Sequence, residues 1–382
     1  MDQESLIARA PKTTPAMSAA DKWKLSALMA IVLVTSTVMG ILSPLVVMYF
    51  ESDYFVVFMT SFEFMIIFGL LYLFVTRNKG KPRQIGLISQ LGIFNAIMAM
   101  SYLYASDPTR TPPVMQSTLT GMAIVPSAIM RRCMFGKSVT YNPILITFAS
   151  IFLAGSLGLA AVPVITDLHG DYVTVFWCMV YLFGVCARSW YNVIQEKYVR
   201  VTEYGAITDE HGNTVHGSLG LTFRQKLGNK FELSFYSRLI MIACILPLFG
   251  VEWIGMSENT TLLEPLIEFN SSMYVAFSSA KEGAILQGFI ISYLCLFFSA
   301  IYLNGISTNY HMILTAVCNP MVGLFFTIFP QLNPGLQYPL WITLSSLGCG
   351  VISVVLWMFG EGDTAKKICR RKKRDDSCLE EK

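Results

Sequence analysis

The sequence predicts an all-α membrane protein of ten transmembrane helices. Three observations carry that expectation. Of 382 residues, 54% are hydrophobic and only 14% charged, with a mean hydropathy of +0.53; soluble domains carry about 25% charged residues. Ten stretches are each long and apolar enough to cross a hydrocarbon core, which takes about 20 residues. Basic residues collect on alternate connections, as membrane insertion demands. Together these exclude an ordinary soluble enzyme.

In order, the stretches are Leu25–Phe50, Tyr54–Val75, Ile85–Ala105, Pro112–Met130, Pro143–Ile165, Tyr172–Gln195, Phe231–Trp253, Ala284–Asn304, Ser307–Phe329 and Tyr338–Gly360. The first is long enough to tilt or kink, at Gly40 or Pro44. Residues 1–24 form a polar N-terminal tail without a cleavable signal pattern. Residues 361–382 form a basic C-terminal tail. The two longest connections, Glu196–Lys230 and Ile254–Gly283, mix Gly, Ser, Asn and charges with little periodicity and read as loops. Residues 25–360 make the transmembrane domain, in halves of about 25–165 and 172–360.

If the N-terminus is cytosolic, all but Arg110, Arg188, Arg238 and Lys281 of the 28 basic residues fall on cytosolic segments. The expected topology therefore puts both termini in the cytosol. The sequons at Asn259 and Asn270 share one far-side connection, so both are candidate glycosylation sites. The tail run Lys366–Arg374 marks the cytosolic side and anionic lipid rather than nucleic acid. The cysteines sit mostly inside spans without paired spacing and read as packing residues.

Two spans differ from lipid-facing helices. Residues 111–130 open on Pro112 and Pro113, carry Gln116, Ser117, Thr118 and Thr120, and hold Gly121 and Pro126 inside. Residues 307–329 also start polar and pass Thr315, Asn319 and Pro320. Small and polar side chains in a span suit a watery cavity. Paired proline-interrupted spans in corresponding places of two halves point to a transporter's substrate site. Gln116, Ser117, Thr120, Thr315 and Asn319 are thus candidate cavity residues.

Four ionisable groups lie in or near the bilayer, where a central charge costs about 2.5–3.5 kcal/mol on the insertion scale. Glu63 either pairs with an arginine and ties helices together, or faces the cavity and handles a proton or a cationic solute. Arg188 and Arg238 either snorkel to the interface or serve a cavity. His311 is either interfacial or a pH-sensitive cavity group, given an ordinary pKa of about 6.5. The run Ser189–Asn192 reads as an aromatic belt or as cavity lining. No catalytic motif, phosphate loop or metal-ligand spacing is present, so neither a cofactor nor a metal is expected.

Ten spans in two halves of five resemble the drug/metabolite transporter superfamily, whose second half is inverted relative to the first. Within it, the fourth span is similar to the chloroquine-resistance-transporter-like family. The residues that carry this are Gln116-Ser117, Ile124-Val125-Pro126, the basic exit Arg131-Arg132 and the aromatic turn at Tyr141. The resemblance implies a vacuolar, lysosomal or endosomal secondary transporter. It would move amino acids, short peptides, amines or thiols out of an acidic organelle, coupled to protons, by alternating access. A nucleotide-sugar or organic-phosphate exchanger of the same superfamily is the alternative, and it calls for cavity lysine or arginine. A non-transporting receptor or scaffold is a second. Asp2, Leu6 and Ile7 fit an acidic dileucine sorting signal, which a clathrin adaptor would read if the tail is cytosolic.

Overall fold

A computed structural model describes residues 19–75, 84–135, 141–167, 172–204, 207–208, 214–215, 222–255, 263–306, 308–333 and 335–380. The candidate sorting residues Asp2, Leu6 and Ile7, and the sequon residue Asn259, lie outside them. The helices are α1 (Ala19–Tyr49), α2 (Asp53–Val75), α3 (Ile85–Tyr104), α4 (Pro113–Gly121), α5 (Ile124–Phe135), α6 (Pro143–Asp167), α7 (Tyr172–Tyr204), α8 (Phe223–Ile245), α9 (Glu264–Ser278), α10 (Ala280–Ile306), α11 (Thr308–Ile328) and α12 (Leu340–Glu380). Ile207–Thr208 and Thr214–Val215 pair as a two-residue antiparallel ladder. Among the described residues, nine helices are long and apolar enough to cross a membrane. The chain is a multi-pass, all-helical membrane protein.

Several boundaries differ from the apolar-window reading, each for a local reason. Residues 112–130 do not form one helix. Pro113 starts α4 in the first turn, where its missing N–H is harmless, and the chain breaks at Met122–Ala123 before α5. Helix α8 begins eight residues before Phe231. The Thr222 hydroxyl accepts from the Gln225 amide, and the Gln225 side chain accepts from the Thr222 amide at 2.9 Å. This reciprocal cap starts a helix regardless of hydropathy. Helix α9 occupies the connection expected to be a loop, with Glu264 and Pro265 in its first turn. Helix α12 continues to Glu380, through most of the expected tail.

The most extensive packing pairs are α6 with α12, α3 with α7, α1 with α10, and α2 with α8; α4 packs on α11. Glycines permit the closest approaches. A Cβ on Gly92 would stand 2.6 Å from Ile240 and 2.9 Å from the Ser237 carbonyl. One on Gly184 would stand 3.0 Å from the Tyr102 amide. Small residues are how membrane helices gain contact where lipid offers no hydrophobic drive.

Two apolar clusters result. One joins α1, α2, α3, α7, α8 and α10; the other joins α4 to α7 with α11 and α12. Polarity is reversed relative to a soluble protein. Leu73, Phe74, Ile144, Phe176 and Phe359 are exposed, while Asn95, Ser189, Gln195, Glu196, Arg238 and Asn304 are buried. Ser156 and Ser346 each donate to the other's carbonyl, at 2.8 and 2.9 Å, and so bond α6 to α12.

Candidate solute cavity

A cavity lies among α1, α2, α3, α7, α8, α10 and α11. Its volume is about 90 Å³, room for about three waters at the liquid's share of about 30 Å³ each. Its wall is mostly apolar and aromatic, but Arg188, Arg238 and His311 all face it. Among the described residues, no aspartate or glutamate lines it.

Arg238 sits two thirds along α8 and is fully buried. Its guanidinium lies 4.7 Å from the Phe64 ring centre, 4.9 Å from Phe297 and 5.4 Å from Tyr293. Each such cation–π contact is worth about 0.5–2 kcal/mol. Among the described residues its hydrogen bonds go to the Met241 sulfur (3.3 Å) and the Tyr293 hydroxyl (3.5 Å), and its Nε has no partner there. Arg188, midway along α7, is 8% exposed. It acts electrostatically on His311, Tyr181 and Cys318, yet no hydrogen bond or ion pair to another described residue holds it. Neither arginine snorkels to an interface. Buried cations normally have a carboxylate partner; among the described residues these two have none.

Other polar atoms share this state. Both ring nitrogens of His311, Gln195 Nε2, Ser43 Oγ and Thr60 Oγ1 are buried without partners among the described residues, and these four residues line the cavity. An unmade buried hydrogen bond costs about 1–3 kcal/mol. A group of such atoms around one space is the signature of a site that something else fills.

One end of the cavity is tied by ion pairs. Glu196, one position beyond Gln195, accepts from Arg131 Nε at 3.0 Å and Nη2 at 3.1 Å, from the Thr308 amide at 2.9 Å, and pairs with Arg200. Lys230 pairs with Glu203 nearby. Asn304 bridges the side chains of Asn192 (3.0 Å) and Gln195 (2.5 Å). These contacts bind α5, α7, α8, α10 and α11 together. At the opposite end, Arg110 donates to Asp53 (2.7 Å) and the Tyr104 carbonyl (2.7 Å), with the Trp177 ring 4.7 Å away.

Of the ionisable residues singled out in the sequence, Arg188, Arg238 and His311 line this cavity; the polar residues of the broken span do not. Gln116 donates to the carbonyls of Ser106 (2.7 Å) and Thr111 (2.6 Å). Thr120 bonds to Tyr181 at 2.9 Å, and Thr315 returns its hydroxyl to the His311 carbonyl at 2.9 Å. Ser117 and Asn319 line a much smaller space of about 20 Å³ between α4, α6, α11 and α12. With its amide oxygen toward Gly121, Asn319 accepts from the Gly121 N–H at 3.2 Å and donates to the Thr315 carbonyl at 3.2 Å. Ser189 donates to the Ala123 carbonyl at 2.9 Å. These two side chains satisfy backbone groups beside the break between α4 and α5, as a bilayer requires.

Glu63 has neither expected surrounding. It is half-buried on the flank of the α2 face that carries Val56, Val57, Thr60 and Ser61, and accepts from Gln287 of α10 at 2.9 Å. Asn270 is exposed on α9, while the third residue of its sequon, Ser272, is buried and accepts from the Ser52 amide at 3.0 Å. Tyr191 and Asn192 do line the cavity. Sequence reasoning passed over Ser43, Thr60 and Gln195, because isolated polar residues in a span carry no sign of which way they face. Intramembrane arginine was the available signal.

No family model matches the chain, and no curated protein matches it. Among solved structures, one described only as "Crystal structure of protein" is similar at 10% identity with a TM-score of 0.47, covering 89% of this chain and 99% of that one. A likeness of that degree carries no argument about fold or function.

Proposed function

We propose that the chain is a secondary active transporter that moves a small organic solute through the central cavity by alternating access. The single observation that carries the reading is the cavity itself. A scaffold has no need of a space deep in the helices that buried arginine, histidine and amide residues line. The two ends support it further: buried ion pairs tie the Glu196 end, and one part-exposed pair ties the Asp53 end, as expected of a site reached from alternate sides.

The packing pattern supports two inverted repeats of five spans, with α4 and α5 together as a discontinuous fourth span. Shifting by five spans turns the α3–α7 pair into α10–α1, the α5–α7 contact into α11–α1, and α4–α6 into α11–α12; all of these contacts exist. Symmetry fails beside the cavity. Helices α3 and α8 pack closely, whereas their counterparts α10 and α2 touch little and are joined by Glu63 and Gln287. The broken span fits the rule that irregular backbone at membrane depth is supported by protein neighbours.

The reading includes the expected proton-coupled export from an acidic organelle, with both termini cytosolic. His311, the titratable group of ordinary pKa nearest neutrality on the cavity wall, is its candidate proton site. Each pH unit is worth about 1.4 kcal/mol per proton, so two units sustain roughly a hundredfold solute gradient. Uptake into proteoliposomes with an imposed pH gradient tests the proposal, screening amino acids, short peptides, thiols, amines and organic phosphates. Gradient-driven uptake of at least one class is expected. Absence of flux for every class from protein that remains folded overturns it.

A further inference from the structure

We infer that the cavity binds a compact organic anion, through a carboxylate or phosphate group held between Arg188 and Arg238. The inference rests on the transport reading for its biological setting but not for its test. Arg188 and Arg238 both line one cavity, and among the described residues no aspartate or glutamate lines it. Arg238 is fully buried with Nε unpartnered, and Arg188 faces the same space without an ion pair. Bringing two unneutralised cations together in a low-dielectric interior is unfavourable unless an anion joins them.

The remaining groups suit the same occupant. Gln195 Nε2 is a donor, Ser43 and Thr60 carry hydroxyl hydrogens, and the His311 ring supplies a donor from either nitrogen according to tautomer; all four residues line the cavity, and each has a buried polar atom without a partner among the described residues. Guanidinium groups meet carboxylate and phosphate oxygens through paired N–H bonds, the strongest common geometry for such ligands. A cationic amine finds the opposite surroundings, with two like charges and no carboxylate. The aromatic rings that would cradle an ammonium are already taken by Arg238. About 90 Å³ suits a solute of few carbons rather than a nucleotide sugar.

Binding to the purified full chain in detergent tests this without flux. Calorimetry and thermal shift would use succinate, glycerol 3-phosphate, putrescine and chloride as probes. At least one of the two organic anions is expected to bind at least tenfold more tightly than putrescine, and the preferred arm identifies carboxylate or phosphate. R188Q and R238Q should each weaken that binding about 10- to 100-fold, the worth of a hydrogen bond to a charged group, and R188K, which keeps the charge but loses the paired N–H geometry, should weaken it less than R188Q. If either glutamine variant does not fold, rising chloride on the unaltered protein decides, because it must compete with the anion. Tighter binding of putrescine, chloride as the only anion bound, or anion affinity indifferent to both substitutions and to chloride overturns the inference. Anion binding without transport of any solute removes the transport reading and leaves the site. Transport of amines or neutral solutes without anion binding does the reverse.

Discussion

Glu196 offers the sharpest test of how this helix bundle is held. The side chain is fully buried and accepts from Arg131 twice, from Arg200 and from the Thr308 amide. The substitution Glu196→Gln keeps the shape and removes the charge. Arg131, 4% exposed, then loses its carboxylate, and breaking a buried pair from one side costs about 3–5 kcal/mol. Arg200 is part-exposed and rehydrates more cheaply. At about 2.1 cal/mol/K per residue over 382 residues, the loss lowers Tm by about 4–6 °C. The fall is larger if helices persist in the unfolded state, since the unfolding entropy is then smaller. Intrinsic fluorescence during heating in detergent reads this directly. The double variant Arg131→Gln/Glu196→Gln leaves no buried unpaired charge at this pair, so it should lose about 1–3 kcal/mol less than the sum of the single changes. Additivity within about 0.5 kcal/mol would refute the pairing as a stabilising unit.

Replacing Arg188 by Met should leave Tm unchanged or raise it, because an unpaired cation gives way to an apolar side chain of similar length, while solute flux falls; a clear loss of stability would mean that Arg188 is structural. Gly92→Ala should destabilise by about 1–3 kcal/mol, because its Cβ meets the Ser237 carbonyl at 2.9 Å; a wild-type melting curve contradicts the close α3–α8 approach. Ser156→Ala should cost about 0.6–1.7 kcal/mol, the range for interhelical hydrogen bonds in membranes, and Ser156→Ala/Ser346→Ala less than twice that. In a cysteine-depleted background, N270C and the native Cys133 should react with an impermeant thiol reagent from opposite sides of sealed membranes; labelling of both from one side refutes the expected topology.

The sequence by itself determined the class of molecule and its spans, because hydropathy over about 20 residues is a local property that the bilayer enforces. It also marked residues 112–130 as irregular, and that stretch is where the helix breaks. The polar side chains near it serve backbone: Gln116 bonds the Ser106 and Thr111 carbonyls, and Asn319 and Ser189 reach Gly121 and Ala123 at the break from other helices. Polarity in a span says that a partner is needed, not whether the partner is solute or backbone. The apolar-window reading also missed α9 and the first turns of α8, since caps such as Thr222–Gln225 start helices independently of hydropathy. Only tertiary structure decided where the cavity lies. Arg188 and Arg238 stand 50 residues apart on different helices, and His311 on a third; nothing along the chain places their side chains on one space. That no carboxylate among the described residues lines the cavity with them is a three-dimensional fact as well, for Glu63 is an intramembrane carboxylate but accepts from Gln287. Charge balance in a membrane interior is settled by which helix faces meet, and that is set by glycine-permitted packing between segments far apart in sequence.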